Sequence, residues 1–241
     1  MPTKKKAVKA AKPKTARAAN PKAKKAVKAT ASKAAKPKAA KVLKPKANKA
    51  PKPVTSGAAE VLSSEVVFEG PLFRVLRDRL IEPGGGENVR DIVRHNGSVV
   101  ILAIDKSKNK RNPWIVMERQ YRHAAGRFLW ELPAGKLEPG EDALTGAQRE
   151  LQEETGYLAK KWKPLVEYYA SPGFLGESMK VFLAEGLVAG EAHPEEDEKI
   201  ELRLVKLSEI VKLIEKGAIL DGKTLTSVLL YARKQAAKSG K

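Results

Sequence analysis

The stretch from Gly135 to Tyr157 constrains this chain more than any other, because it sets glycines, an arginine and separated acids at fixed intervals. If about residues 142–155 are helical, Glu150, Glu153 and Glu154 lie on one side of the helix, with Cβ atoms about 5–6 Å apart. Carboxylates this close repel one another, and a divalent cation would neutralise them. Hard oxygen ligands favour magnesium or manganese. The sequence therefore predicts a metal site on this helix.

Apolar residues beside the acids indicate how the helix packs. Leu144, Ala147 and Leu151 recur at the spacing of one helical face, so they would hold the helix against a core. Gly156 tolerates a positive φ and would end the helix. The pattern thus predicts a buried apolar stripe next to an acidic side.

The same stretch resembles the signature of the Nudix hydrolases. That signature is a glycine, five residues, a glutamate, seven residues and then REUXEEXGU, where U is a bulky apolar residue, and the chain matches it from Gly135 through Glu141 to Tyr157. The one departure is Tyr157, which stands where an aliphatic residue is usual. An isolated E-x-x-E-E, by contrast, is typical of a solvated acidic helix face. The resemblance implies an α/β (α+β) fold, the α/β/α sandwich with a mixed sheet.

The resemblance also implies how the acids are used. It assigns metal ligation to four residues: Ala134 through its carbonyl, Glu150, Glu153 in an assisting role, and Glu154. Arg149 would orient the glutamates through a pair with Glu141. The implied cofactor is Mg²⁺, or Mn²⁺, which neutralises phosphate charge and lowers the pKa of bound water.

Features outside the stretch resemble the ADP-ribose pyrophosphatase group of nucleoside diphosphate sugar hydrolases. They are R-Q-Y-R…L-W-E-L-P-A-G, over residues 119–135, and Pro172, fifteen residues beyond Tyr157. The resemblance covers about residues 60–235. It implies hydrolysis of ADP-ribose or a related nucleotide sugar to a nucleoside monophosphate and a sugar phosphate. GDP-mannose or another nucleotide sugar is an alternative substrate, and a module that binds ADP-ribose without turnover is an alternative function.

Other residues are candidates for contacting the substrate. Four residues are assigned to the substrate side by the resemblance: Arg122, Glu131, Pro172 and Glu177. A planar guanidinium suits paired phosphate or sugar oxygens, although Arg122 could also be an ordinary surface arginine.

In the ADP-ribose pyrophosphatase group that the chain resembles, a carboxylate from a loop after the sheet activates the water molecule that attacks the pyrophosphate. Glu196 or Glu198, in the acidic loop 193–199, matches that location, with a merely solvated loop as the other interpretation. Glu177 is a less favoured candidate for the base.

The N-terminal tail carries the net charge. Residues 1–53 hold 19 of the 47 basic residues and no acid, so 28 basic and 28 acidic residues remain, and the tail accounts for all of the +19. Dense like charge with few large apolar residues predicts disorder over 1–56. Such a tail favours loose, non-specific binding of nucleic acid through phosphates, with a solubilising segment or a start codon assigned too early as alternatives.

The remaining chain, 57–238, is predicted to be the Nudix domain. Strands are expected within 60–95, at 98–104, 114–117, 165–170, 179–184 and 200–205, and the family resemblance implies that 60–95 packs across the partner in a homodimer. A final helix after Asp221 or Thr224 should bury four residues: Leu225, Val228, Leu229 and Ala232. No apolar run is long enough to span a bilayer, and the chain has no cysteine, which fits a cytoplasmic protein.

Overall fold

The computed structural model describes residues 57–193 and 199–239. The α-helices and strands of these two ranges are, in chain order, β1 (Glu60–Glu69), β2 (Arg74–Ile81), β3 (Glu87–Arg94), β4 (Ser98–Asp105), β5 (Trp114–Arg122), β6 (Arg127–Glu131), β7 (Ala134–Lys136), α1 (Ala143–Thr155), β8 (Tyr157–Ser171), β9 (Leu175–Ala189), β10 (Glu201–Lys206), α2 (Leu207–Glu215) and α3 (Gly222–Ser239). The predicted basic tail, 1–56, lies outside the described residues.

The strands form one mixed sheet. Its order is β1-β2-β3-β9-β4-β5-β10, with β6 paired to β5, β7 to β4 and β8 to β9. β4 and β9 are parallel over seven pairs, from Ser98 opposite Met179 to Ile104 opposite Glu185. β7 is short and antiparallel to the start of β4, which places the residues just before the helix at the centre of the sheet.

Strand β4 separates two cores. Its residues from Val99 to Ile104 are fully buried, as the continuous apolar run predicted. Even-numbered residues pack with Ile210 of α2 and Val228 of α3. Odd-numbered residues pack with Leu151 of α1 on the opposite face. Because successive strand residues point to opposite faces, this alternation gives helices on both sides of the sheet. The predicted α/β/α sandwich is confirmed.

Helix α1 is bounded by local signals at both of its ends. Asp142 is its N-cap, and one carboxylate oxygen accepts hydrogen bonds from the backbone N–H groups of Leu144 (3.0 Å) and Thr145 (3.1 Å). Gly156 ends the helix with φ of 69°, a conformation that glycine adopts without strain. A cap of this kind contributes about 1 kcal/mol. The helix is therefore fixed at both ends, with its acidic side toward β7.

Strands β8 and β9 are longer than predicted. The expected segments 165–170 and 179–184 are parts of two 15-residue strands, which pair from Tyr157–Ala189 to Ser171–Leu175. Exposed lysines and Gly186 obscure the strand pattern in the outer half. Backbone pairing, rather than an apolar alternation, continues the ribbon there.

The C-terminal helix differs from its prediction at one position. Leu229 was expected in the core but is 43% exposed, whereas Tyr231 is buried at 4%. Asp221 is the cap, since its carboxylate accepts from the backbone N–H of Thr224 at 2.9 Å. Among the helices of the described ranges, none has the length and apolar character needed to cross a lipid bilayer.

The N-terminal strands leave much apolar surface uncovered. Every residue of β1 is exposed. Val61, Val66 and Phe68 each expose about half of their surface, at 53%, 50% and 52%. Isolated exposed apolar residues are ordinary, but here three of them lie on one strand.

Candidate active site

A cavity of about 260 Å³ opens where β5, β7, β9 and the start of α3 meet. Its lining includes Arg122, Ala134, Gly135, Glu177, Met179 and Lys223. Three sequence-predicted site residues, Arg122, Ala134 and Glu177, thus share one cavity. Pro172, in contrast, lies in the exposed turn between β8 and β9 and does not line it.

Gly135 allows α1 to approach β7 closely. A Cβ built on Gly135 would lie 1.9 Å from Cδ of Glu150 and 2.0 Å from its Oε1. No real side chain tolerates that contact, so the Glu150 carboxylate occupies the space that a side chain would fill. The first glycine of the motif therefore has a packing role that spacing alone does not show.

Glu154 is hydrogen-bonded to β7, the strand that contains Gly135. Its Oε2 accepts a hydrogen bond from the backbone N–H of Ala134 at 3.0 Å. Glu150 and Glu154 are nearly buried, at 9% and 4% exposure. The helix thus sets two carboxylates against two consecutive residues of β7.

Arg149 binds three of the motif acids. It donates to Glu141 through Nε (3.0 Å) and Nη2 (3.1 Å), and through Nη1 to Glu150 and Glu153, both at 2.9 Å. The predicted pair with Glu141 is present, and its hydrogen bond raises the pKa of the Arg149 guanidinium. The same bond lowers the pKa of Glu141. Arg149 therefore holds the acidic side of α1 in one arrangement.

The acids suit a hard cation, but they do not converge on one in this arrangement. Within the described ranges, no three histidine, cysteine, aspartate or glutamate side chains are grouped as a metal site. Arg149 draws Glu150 and Glu153 toward itself, and Glu154 faces a backbone N–H. Glu150 and Glu153 thus share one guanidinium nitrogen, Nη1 of Arg149, as a hydrogen-bond donor. Carboxylate oxygens beside an open cavity nevertheless fit Mg²⁺ or Mn²⁺ in chemistry.

Glu118, on β5, is a buried acid that the sequence analysis did not single out. It has no measurable exposure, and burial raises the pKa of its carboxyl to about 8. Glu154 lies close enough to lower that pKa, but neither oxygen of Glu118 makes a hydrogen bond of regular geometry within the described part of the chain. Its position in a strand of apolar neighbours was the signal that could have revealed it.

Glu131 holds two cations on the cavity wall. Arg122 donates to its two oxygens through Nε and Nη2, both at 2.9 Å. Lys223 of α3 donates to Oε2 of Glu131, and to Asp221 at 3.2 Å. Although burial acts to lower it, the pKa of Arg122 is raised by Glu131. The fully buried Glu131 is thus saturated by protein cations and not directed at open space.

Lys223 was not among the residues that the sequence predicted for the site, although its position in a helix is unusual. A cation in the first turn opposes the helix dipole, and this one lies two residues after the capping Asp221. A residue that breaks a local rule is often kept for a function.

Glu177, on β9, lines the same cavity as Lys223. Ser98 donates to its Oε1 at 2.6 Å, and Nδ1 of His95 is 3.9 Å away. Because Nδ1 accepts a hydrogen bond from the backbone N–H of Gly97 at 3.0 Å, the proton of the neutral ring lies on Nε2. Nδ1 of His95 is therefore engaged by the backbone of Gly97.

The two leading base candidates, Glu196 and Glu198, lie outside the described residues. The described chain before them is anchored beside α1: the backbone N–H of His193 donates to the carbonyl of Glu153 at 2.9 Å. The described range that ends at His193 therefore ends beside the acidic helix.

Comparison with known proteins agrees with this geometry. The NUDIX domain model matches residues 94–227. An ADP-ribose pyrophosphatase of Bacillus subtilis (strain 168) is 38% identical over 185 residues, covering 76% of this chain and 97% of the relative. A methanol dehydrogenase activator of Bacillus methanolicus is 37% identical over 181 residues, covering 74% and 95%. The crystal structure of an ADP compounds hydrolase, 21% identical, gives a TM-score of 0.66 over 76% of this chain and 97% of its own, which bears on the fold.

The fold, the motif and these matches define the class: the chain belongs to the Nudix hydrolase family. It is an enzyme, a hydrolase that acts on pyrophosphate bonds. The predicted family is confirmed.

Proposed function

We propose that this enzyme hydrolyses the pyrophosphate bond of ADP-ribose or a related nucleoside diphosphate sugar, with Mg²⁺ or Mn²⁺, to a nucleoside monophosphate and a sugar phosphate. The observation that carries the proposal is the seating of Glu150 against Gly135, next to a cavity lined by Arg122. The name of the Bacillus subtilis relative supports the substrate.

Metal ligation falls to the Ala134 carbonyl, Glu150, Glu153 and Glu154. Bound there, the cation would neutralise phosphate charge and lower the pKa of a water molecule. Arg149 keeps Glu150 and Glu153 in place through its 2.9 Å bonds, and Glu141 in turn holds Arg149. Glu154 is positioned by the backbone of Ala134.

Water activation is assigned to Glu196 or Glu198. The anchoring of His193 to Glu153 supports this assignment, because it starts their segment at the metal-binding helix. Glu177 lines the cavity and is the third candidate. It accepts a 2.6 Å hydrogen bond from Ser98, so its Oε1 already has a protein partner.

On the substrate side, Arg122 is assigned to a phosphate or sugar oxygen. Glu131 has both oxygens occupied by Arg122 and Lys223, so it serves by holding those cations instead of touching the substrate. A contact from Pro172 would require the β8–β9 turn to fold over the cavity.

The substrate class needs a direct assay. A panel containing ADP-ribose, GDP-mannose, UDP-glucose and ATP, each with Mg²⁺, would rank the candidates by kcat/KM. ADP-ribose should lead. A lead for GDP-mannose would move the assignment to the alternative sugar nucleotide. Binding of ADP-ribose without product would support the non-hydrolysing module.

The partner surface is proposed to be β1–β3, joining two copies in a homodimer. The support is the half-exposed apolar side chains of Val61, Val66 and Phe68. Size-exclusion chromatography with light scattering should give twice the mass of one chain. Val66→Lys should lower the measured mass toward that of a single chain. A monomeric wild type would exclude this arrangement.

The basic tail, residues 1–53, is proposed to bind nucleic acid without sequence preference. The support is its share of the charge, all of the net +19. Such binding depends on counterion release and weakens steeply with salt.

A further inference from the structure

Two cations on one wall of the catalytic cavity share a single buried anchor. Glu131 has no measurable exposure, and its carboxylate binds Arg122 from β5 and Lys223 from α3. The Lys223 side chain is itself only 9% exposed and also contacts Asp221 at 3.2 Å. Two long, flexible side chains are thereby fixed, which removes the ordering cost that a surface cation incurs on binding.

Both cations keep donors that the anchor does not use. A lysine ammonium has three N–H donors, and Glu131 and Asp221 take two of those of Lys223. Arg122 uses Nε and Nη2 on Glu131, and within the described ranges its Nη1 meets no protein acceptor. Arg122 and Lys223 both line the 260 Å³ cavity. The N–H donors that Glu131 and Asp221 leave unused on Arg122 and Lys223 therefore belong to two residues that line the same cavity.

Lys223 also borders a second cavity. This one, of about 420 Å³, is lined by residues that include Tyr168, Asp221 and Thr226, and it shares Met179 and Lys223 with the first. A diphosphate carries an organic group on each side. A diphosphate bound at Lys223 would therefore have space for one organic group in each cavity. A lysine at the closed end of a single pocket would leave space for only one.

We infer that Lys223 and Arg122, fixed by Glu131, form a paired-cation subsite that binds a phosphate group of the substrate. Arg122 supplies planar donors and Lys223 a point charge, so together they reach different oxygens of one diphosphate. The inference rests on the proposed function for the identity of the substrate. That the subsite binds a phosphate group follows from the two cations and does not depend on which nucleotide carries it. It makes Lys223 a binding residue contributed by the C-terminal helix.

The test uses the full chain with three substitutions. Lys223→Met removes the charge at similar length, Lys223→Arg retains it, and Lys216→Met removes an exposed lysine at the end of α2 as the matched control. Kd is measured by calorimetry with Mg²⁺ for two probes, inorganic pyrophosphate and the α,β-methylene analogue of ADP-ribose. Steady-state rates on ADP-ribose give KM and kcat separately.

Lys223→Met should weaken both probes by about tenfold or more, the effect of one charge-assisted hydrogen bond. Lys223→Arg should stay within about threefold of wild type, and Lys216→Met should not differ. KM should rise more than kcat falls. If Lys223→Met lowers the melting temperature too far for calorimetry, Lys223→Gln replaces it under the same criteria.

Unchanged Kd values in the charge-removing variant would overturn the inference, as would an equal loss for Lys216→Met. A loss of kcat alone, with both Kd values retained, would also overturn it, since that pattern describes a purely structural lysine. Failure of the wild type to hydrolyse ADP-ribose would count against the proposed function only. Pyrophosphate binding and its dependence on Lys223 would still decide the subsite.

Discussion

Adding one methyl group at Gly135 would place a carbon 1.9 Å from Cδ of Glu150. An ordinary contact is at least 3.4 Å, so the carboxylate would have to move by about 1.5 Å. That shift breaks the 2.9 Å bond from Arg149 to Glu150. A hydrogen bond to a charged group is worth about 1.5–3 kcal/mol, and the partial exposure of Arg149 argues for the lower end. With a rotamer cost of about 0.5–1.5 kcal/mol, Gly135→Ala should lower the free energy of unfolding by about 2 kcal/mol.

The effect on activity should be larger than the effect on stability. A misplacement of about 1 Å in a catalytic group costs about 10²-fold in rate, so kcat of Gly135→Ala on ADP-ribose should fall by about that factor. Gly84→Ala is the matched control, because a Cβ there meets nothing within 4 Å and its φ is not positive. Initial rates with Mg²⁺ and thermal melting of the two variants make the comparison. Wild-type kcat in a folded Gly135→Ala protein would refute the placement of Glu150 at a metal.

Four further outcomes are expected. Glu154→Gln should keep the fold but lose most turnover, as measured by rates across a Mg²⁺ series; unchanged metal dependence would remove Glu154 from the ligands. Glu196→Gln and Glu198→Gln should differ, with one lowering kcat by at least about 10²-fold, and two fully active variants would shift attention to Glu177. Because the folded-state pKa of Glu118 is raised to about 8, the unfolded chain ionises first, so stability is fully present below about pH 4.5 and declines toward pH 8. In metal-free protein Glu118→Gln should flatten that decline in denaturant titrations, and an unaltered slope would exclude Glu118 as its source. Deleting residues 1–53 should leave kcat intact and abolish salt-sensitive DNA binding in a salt series, whereas DNA affinity that survives the deletion would place that site in the folded domain.

The helix of the site could be predicted because its information is local. The cap at Asp142, the stop at Gly156 and the pair between Arg149 and Glu141 all join residues within one short segment. Strand β4 was equally clear, since burial on both faces requires a continuous apolar run.

What could not be predicted depends on contacts between distant segments. The outer half of the β8–β9 ribbon is held by backbone pairing, which leaves little mark on side-chain pattern. Tyr231 is buried and Leu229 exposed because of how α3 is turned against the sheet. Lys223 reaches Glu131 across 92 positions of sequence. Such contacts exist only once the sheet and α3 have packed together.

Helix α3 is the last element of the fold, and yet it completes the wall of the active cavity. The Thr224 hydroxyl accepts from the backbone N–H of Leu132 at 2.8 Å and donates to Asp221 at 2.7 Å, so it fastens the segment that leads into β7. Proteins are synthesised from the N-terminus, so the acids of the Nudix motif leave the ribosome well before this helix. A nascent or prematurely terminated chain that ends before Thr224 would therefore carry every motif acid but lack the hydrogen bond that holds the segment ahead of β7.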